Sequence, residues 1–546
     1  MRKFNKPRGK AHRTLFLYDA IFILLAALYA WLAFKGIAIL SANGTVLDSD
    51  LQTYAQGMAG AAFPEQFIND PVLAQVSEAN SIPNLQRWLA SHFVEHNNFG
   101  LALLKAGACA IFLFYACWYG LGRYLFTRPA IASLLAICSS ITVWVGWGTF
   151  WGVAHSDPVP RVFFAAIFPL LLFFACLAFR KSCFRPATMF CCGLSMWIHG
   201  VSALNCGAMF LCAFLFCKQK NQSLKKHLGI FGLCLICFLL PVCLYLWPSL
   251  NQGKSFAADD LAMFQEMQNL RWHEDFSGFW PRMLDFFRPS SPTFILSLCG
   301  LASWLILIRN ENQRFYPLLK MIPYFILALL AVACFAWLES GWARELGRLS
   351  MGHELVRGMR FFIPLSWLLI IAAIAAYTTK WLGRAMLLCA LCLVVLLNQD
   401  RQHLAVESAA AHFMKLPLPE DAAIEIKKAQ IQQDIIAEVG RIVPENETVF
   451  CPEDQMPVRF MAMRPLTHAF KDGYVFFYDK DLLKSRNWLN IEKVLRSEGI
   501  IQAWKVSGAN WLLARKASLD QNMAQKAAFD LHNWLLIRQT EKQELN

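Results

Sequence analysis

Long apolar runs recur along this 546-residue chain, and many reach bilayer-spanning length. A transmembrane helix needs about 20 mainly apolar residues. The run 15–40 follows a basic N-terminus and is far longer than a signal-peptide core of about 7–15 residues. It reads as an uncleaved first span. Only 16% of residues are charged and 57% are hydrophobic, against about 25% charged in an ordinary soluble protein. So little polar surface cannot coat a soluble globule of this size. The sequence predicts eleven spans: 15–41, 101–122, 130–149, 161–179, 187–200, 201–217, 228–247, 293–308, 321–338, 361–378 and 385–397. The stretch 187–217 reads as one tilted helix or as two short ones meeting near His199-Gly200; the charge pattern favours two.

Charge placement sets the orientation. The connections 123–128, 180–185, 218–226, 309–320 and 380–384 are short and basic. The first long loop, 42–100, has Arg87 as its single Lys or Arg among six acids. Positive charge favours the cytoplasmic side, so the N-terminus is predicted inside. An odd number of spans then puts the C-terminus outside, the periplasm of a Gram-negative cell. The net charge of +13 is thereby read as topology, not as a nucleic-acid footprint. The expected fold class is a mainly α, polytopic membrane protein. It has a membrane domain over 1–397 with outer loops 42–100, 248–292 and 339–360. A small α/β periplasmic domain follows over 398–546. Within that domain Glu420–Val443 and Trp488–Ser497 read as helices, and Thr448–Cys451 and Trp511–Ala514 as strands. The cysteines sit almost entirely in apolar runs, where Cys acts as a small hydrophobe. No disulfide scaffold or metal-ligand spacing emerges, and Cys234-x-x-Cys237 has no His or acid beside it.

Long outer loops and short inner ones place the function on the outer face. Asp48-Ser-Asp50 lies just beyond the first span. Such a pair can hold a divalent cation such as Mg or Mn, or supply a general base; equally, Asp50 can cap the amphipathic helix that follows. In His155-Ser-Asp157-Pro158, Asp157 before proline reads as a turn signal, yet His155 and Asp157 would face the same outer surface as Asp48 and Asp50. His199 near a span end is either functional or a hydrogen-bonded structural residue. Arg271-Trp-His273 suits an interface belt or a phosphate or sugar site. In 341–360 the residues His353, Arg357 and Arg360 share one helical face. Four arginines there outnumber Glu339, Glu345 and Glu354. A basic stripe on the side that disfavours positive charge suits a lipid-linked phosphate. Arg459, Arg464, His468 and Lys471 cluster near a strand end. Walker-type and dinucleotide glycine motifs, HExxH and GxSxG are absent.

This arrangement resembles the GT-C superfamily of multi-spanning glycosyltransferases. The long first outer loop with its acid pair Asp48 and Asp50, followed by Gln52 and Tyr54, is similar to the family's. Pro64-Glu65-Gln-Phe67-Ile-Asn-Asp70-Pro71 resembles a PExFxxDP stretch of bacterial GT-C-like chains. His199-Gly200 stands where those chains carry His-Pro, Arg271-Trp-His273 where they carry Arg-x-x-His-His, and Arg464-Pro…Lys471 resembles their RP…K element. The resemblance implies transfer of a sugar from a polyprenyl-phosphate-linked donor to an acceptor, on the periplasmic face of a bacterial inner membrane. Asp50 or Asp48 would be the general base, beside a divalent metal, with Asp157 helping to hold the metal or the acceptor. Arg357 and Arg360, with Arg271, would hold the lipid phosphate. His353, His273, His199, Tyr54, Arg464 and Lys471 would complete the substrate site. The partners implied are the bilayer and the lipid-linked sugar, with no nucleic acid. A transporter or flippase of an anionic lipid, or a non-catalytic scaffold of the same fold, is the competing expectation.

Overall fold

A computed structural model describes residues 9–47, 49–75, 85–146, 149–154, 158–219, 222–251, 286–308, 315–345, 353–377, 401–453, 456–472 and 488–539, together with 262, 263, 266, 267, 270, 283 and 284. The protein is mainly helical. Seven described helices are long and apolar enough to cross a membrane, and two shorter apolar ones, Pro129–Ser140 and Pro292–Leu307, lie among them.

Helix α1 (Gly9–Leu40) leads into a tight turn and α2 (Ser49–Ala62). After a short α3 (Leu85–Ser91), α4 spans Phe99–Phe126. Asn98 caps α4 by accepting the Leu101 N–H at 2.9 Å, satisfying one of the orphan donors of a helix start. Proline opens α5 (Pro129–Ser140) and α6 (Pro160–Arg180), where its missing N–H costs nothing.

The span expected over 130–149 is corrected. Its helix stops at Ser140, and Val143–Gly146 (β1) and Thr149–Trp151 (β2) form an antiparallel hairpin. β-branched and aromatic residues there favour a strand over a helix. The stretch 187–217 is two helices: α7 (Phe184–Leu194) and α8 (Met196–Phe216). Helical geometry breaks within α8 at His199 (φ −160°, ψ 102°). Then come α9 (Leu224–Asn251), α10 (Pro292–Leu307), α11 (Tyr316–Glu345), a 3₁₀ turn over His353–Phe361, and α12 (Phe362–Tyr377). The span expected at 385–397 lies outside the described residues.

The C-terminal segment begins with α13 (Arg401–Met414), which lies against α1 so closely that a Cβ on Gly36 would sit 1.7 Å from the Ala405 carbonyl oxygen. It continues through α14 (Glu420–Ile442), β3 (Val449–Phe450), β4 (Leu466–His468), α15 (Trp488–Ser497), α16 (Ile500–Ser507), β5 (Trp511–Arg515), β6 (Ala527–Leu531) and β7 (Trp534–Arg538). The strands make one mixed sheet ordered β4-β3-β5-β7-β6. Its inner strands are apolar on both faces. One face buries Leu513 and Leu536 against Ile435 and Val439 of α14; the other buries Leu512 and Leu535 with Ile491 and Trp504 of α15 and α16. A further core joins Leu51, Ala55 and Phe67 of the first loop to Phe460 and Trp488 of the C-terminal segment. Among the described residues every cysteine is a free thiol.

Candidate functional site

Five pieces of chain converge at the end of the helical bundle that carries the first loop. They are the start of α2, the β1–β2 hairpin with the start of α6, the α7–α8 hairpin, the 353–361 turn, and residues 470–472 of the C-terminal segment.

Asp50 lies in the first turn of α2, where a carboxylate also complements the helix dipole. Its side chain does not turn back to cap the helix. Oδ1 accepts from Lys471 Nζ at 2.8 Å and Oδ2 from Arg161 at 3.3 Å. Burial pushes this carboxyl up, but the Lys471 ammonium, its hydrogen bond, and the Arg161 and Arg357 guanidinium groups outweigh that. Together they hold Asp50 below the usual carboxylate value, the expected effect of opposite charges at short range. The Asp50 side chain is nevertheless 46% exposed, so it borders open space.

Behind it lies a second, buried cluster. Arg360 is 3% exposed. It donates to Thr149 Oγ1 of β2 at 2.9 Å and to Ser202 Oγ, and approaches His199 Nδ1 at 3.4 Å. His199 Nδ1 also accepts the Ser202 N–H at 3.1 Å, a bond the local break in α8 permits. Arg357 pairs with Glu354 at 3.0 Å. Arg161 and Arg357 lie within electrostatic range of both Asp50 and Arg360, so the two clusters form one site. The 353–361 turn is seated by Asn205 of α8, whose Nδ2 donates to the Leu355 carbonyl at 3.1 Å. Gly358 is required there, because a Cβ would come within 1.9 Å of Asn205 Oδ1.

The C-terminal contribution is braced from below. Arg459 is fully buried and donates to Asp70 Oδ2 (2.7 Å), Asp472 Oδ1 (2.6 Å) and Oδ2 (2.8 Å), and Gln56 Oε1 (3.3 Å). Burial opposes its charge, but the Asp472 and Asp70 carboxylates raise it above the usual guanidinium value. Asp70 also accepts the Val72, Leu73 and Leu466 N–H groups, each at 2.9 Å. Gln52 of α2 donates to the Met456 carbonyl at 3.2 Å. Asp472, gripped by Arg459, is the neighbour of Lys471, so this network sets the place from which Lys471 reaches Asp50.

The structure thus brings Asp50, Arg357, Arg360, His199 and Lys471 together. Tyr54 sits one turn beyond Asp50 on α2, within electrostatic range of Arg87. Arg464, expected in the substrate site, is engaged with backbone carbonyls. It donates to the carbonyls of Val443 (2.6 Å), Gly440 (2.7 Å), Met463 (3.1 Å) and Ala462 (3.2 Å), closing the C-terminal end of α14 where carbonyls lack partners. Asp48, Asp157, Arg271, His273 and the side chain of His353 lie outside the described residues. Arg161 was not among the residues singled out from sequence. Its position opening an apolar helix, on the side predicted to disfavour positive charge, is the available signal. Of the expected metal set only Asp50 is described, and its oxygens face two cations, a poor fit for a divalent ion. Among the described residues no group of three His, Cys, Asp or Glu is placed to hold a metal.

No protein-family model matches the sequence, and no curated protein matches it. Among solved structures, ArnT from Cupriavidus metallidurans bound to undecaprenyl phosphate is similar at 13% sequence identity. The TM-score is 0.52, and the match covers 95% of this chain and 97% of that one. The match runs over nearly the whole length of both chains. The chain has a GT-C-like fold.

Proposed function

We propose that this chain is a membrane glycosyltransferase that moves a sugar from a polyprenyl-phosphate-linked donor to an acceptor on the outer, periplasmic face of the inner membrane. In this reading the N-terminus is inside and the C-terminal segment is folded as a periplasmic α/β domain. One observation carries the proposal. A half-exposed carboxylate, Asp50, faces a set of cations (Arg161, Lys471, Arg357) in front of the buried Arg360, at the loop end of a GT-C-like bundle.

The chemistry follows from that pairing. The acceptor hydroxyl gives its proton to Asp50 as its oxygen bonds to the anomeric carbon. The bond from that carbon to the phosphate oxygen breaks, and the electron pair leaves with the polyprenyl phosphate. Arg357 and Arg360 stabilise the phosphate as it gains charge. Preorganised donors aimed at developing charge are worth about 3–4 kcal/mol each at the transition state. A polyprenyl phosphate stays in the bilayer, so the site must be reachable sideways at headgroup depth. The likeness to ArnT, itself bound to undecaprenyl phosphate, supports the donor class.

The test is release of polyprenyl phosphate by purified full-length protein from a panel of polyprenyl-phosphate sugars, with a mixed acceptor pool. Turnover of at least one donor, lost by about a hundredfold or more in Asp50→Asn, is the expected result. No turnover across the panel overturns the donor class, and a wild-type rate in Asp50→Asn overturns the role of Asp50.

A further inference from the structure

Cations outnumber acids around Asp50. Among the described residues, Arg161, Lys471, Arg357 and Arg360 stand with Asp50 and Glu354, and Glu354 is already paired with Arg357. Arg360 is buried and its hydrogen-bond partners are the uncharged Thr149, Ser202 and His199 side chains. Burying a guanidinium with such partners is costly, and it suits a place that an anion enters and leaves.

Asp50 is the one carboxylate facing both Lys471 and Arg161 in the described structure. Each Asp50 oxygen already accepts one hydrogen bond, and the adjacent positive charges make the carboxylate a weaker acceptor of a hydroxyl proton. The two cations differ in how they are held. Arg161 stacks on the Phe150 ring at 4.6 Å and is 12% exposed. Lys471 is 28% exposed, and its ammonium rides on a flexible four-carbon stem with three donors. Its backbone is fixed: Arg459 holds Asp472, and Trp488 Nε1 donates to the Ala469 carbonyl at 2.9 Å. The ammonium can therefore change partner without moving the chain around it.

We propose that Asp50 is a stand-in anion: in the ligand-free protein its carboxylate occupies the charge position a phosphate takes on binding, and the arriving phosphate draws Lys471 off Asp50 and frees Oδ1. This rests on the glycosyltransferase reading, in which the phosphate belongs to the lipid-linked donor. The exchange makes the base accessible only when the donor is seated. It also makes Lys471, supplied by the C-terminal segment, a phosphate-binding residue of the site.

Full-length protein in detergent is titrated with undecaprenyl phosphate, undecaprenol and inorganic phosphate, with tryptophan fluorescence as readout. Removing the competing carboxylate in Asp50→Asn is expected to tighten undecaprenyl phosphate binding by about two- to fivefold, the upper part of the range for a partly exposed ion pair. Lys471→Met weakens binding by a similar factor, Lys471→Arg keeps it, and the double variant D50N/K471M shows no gain over K471M. Unchanged or weaker binding by D50N at an unaltered Tm overturns the exchange, as does a gain that survives in the double variant. If K471M does not fold, the comparison of D50N with wild type alone decides. If D50N gains affinity for inorganic phosphate while undecaprenyl phosphate binds no better than undecaprenol, the exchange stands and the lipid-donor reading falls.

Discussion

At the scale of single residues, the described part of the site sets Asp50 and Glu354 among four cations, and the pH behaviour of Asp50 follows from that imbalance. Lys471, Arg161 and Arg357 hold Asp50 below the ordinary carboxylate value despite burial. A base with a depressed value stays ionised until the pH falls through that lower value. The acid limb of kcat/KM, which reports the free enzyme, is therefore expected below the reference of about 3.9 for an aspartate. Lys471→Met removes the largest lowering influence and moves the limb upward, while Lys471→Arg leaves it in place. A pH–rate series on the three proteins checks this. An acid limb unmoved by Lys471→Met would mean that the 2.8 Å contact does not govern the carboxyl. Asp48-Ser-Asp50 was visible in the sequence as an acid pair after the first span, but the partner that tunes Asp50 lies 421 residues away. No local pattern shows a contact of that separation, and Arg161 was absorbed into the apolar helix it opens.

At the scale of elements, helix ends are closed by arginines as well as by short polar caps. Arg464 takes the Gly440 and Val443 carbonyls at the end of α14 together with those of Ala462 and Met463, and Arg185 closes the end of α8 on the far side of the bundle, donating to the Phe214 and Cys217 carbonyls at 3.1 and 2.5 Å. Arg464→Ala is expected to leave transfer chemistry intact and to destabilise α14 by about 1–3 kcal/mol, the cost of orphaned buried acceptors. Thermal unfolding read beside activity at low temperature separates the two effects; a large loss of activity with unchanged stability would return Arg464 to the substrate site. Apolar periodicity made most helices legible, because a run of this length has few other solutions. It failed at 143–151, where an apolar run alone does not tell a buried strand from a helix. It placed the break near His199-Gly200, and the structure shows the disrupted backbone at His199.

At the scale of the whole molecule, the first loop and the C-terminal segment act as one body. Arg459, Asp70 and Asp472 form a buried ionic triad between them, joined by the Gln52 contact and by the core around Leu51, Phe67 and Trp488. Arg459→Met leaves two buried carboxylates without their cation. Breaking a buried pair in this way costs about 3–5 kcal/mol. The expected outcome is a C-terminal segment that becomes protease-sensitive while the helical bundle stays intact, together with loss of transfer as Lys471 is carried away from Asp50. Resistance to proteolysis equal to wild type would show that the apolar junction suffices alone. The sequence displayed Asp70 and Arg459 in separate stretches, and their pairing emerges only when the two ends of the chain meet.

The short helix α5 also bears on where the bilayer surface lies. Its 12 residues reach about 18 Å at 1.5 Å per residue, against a hydrocarbon thickness of about 30 Å. The β1–β2 hairpin continues from its end, and strand backbone at membrane depth is tolerated only when shielded by protein or facing water. Phe150 is buried under Arg161, and Trp151 packs on Phe168 of α6 and Phe361 of the 353–361 turn, which supplies shielding for β2. Thr149, the hairpin's contact with Arg360, is therefore sunk beneath the level at which a full-length span would end. If the donor is lipid-linked as proposed, its phosphate meets Arg360 below that level, with its polyprenyl tail still lying among the acyl chains.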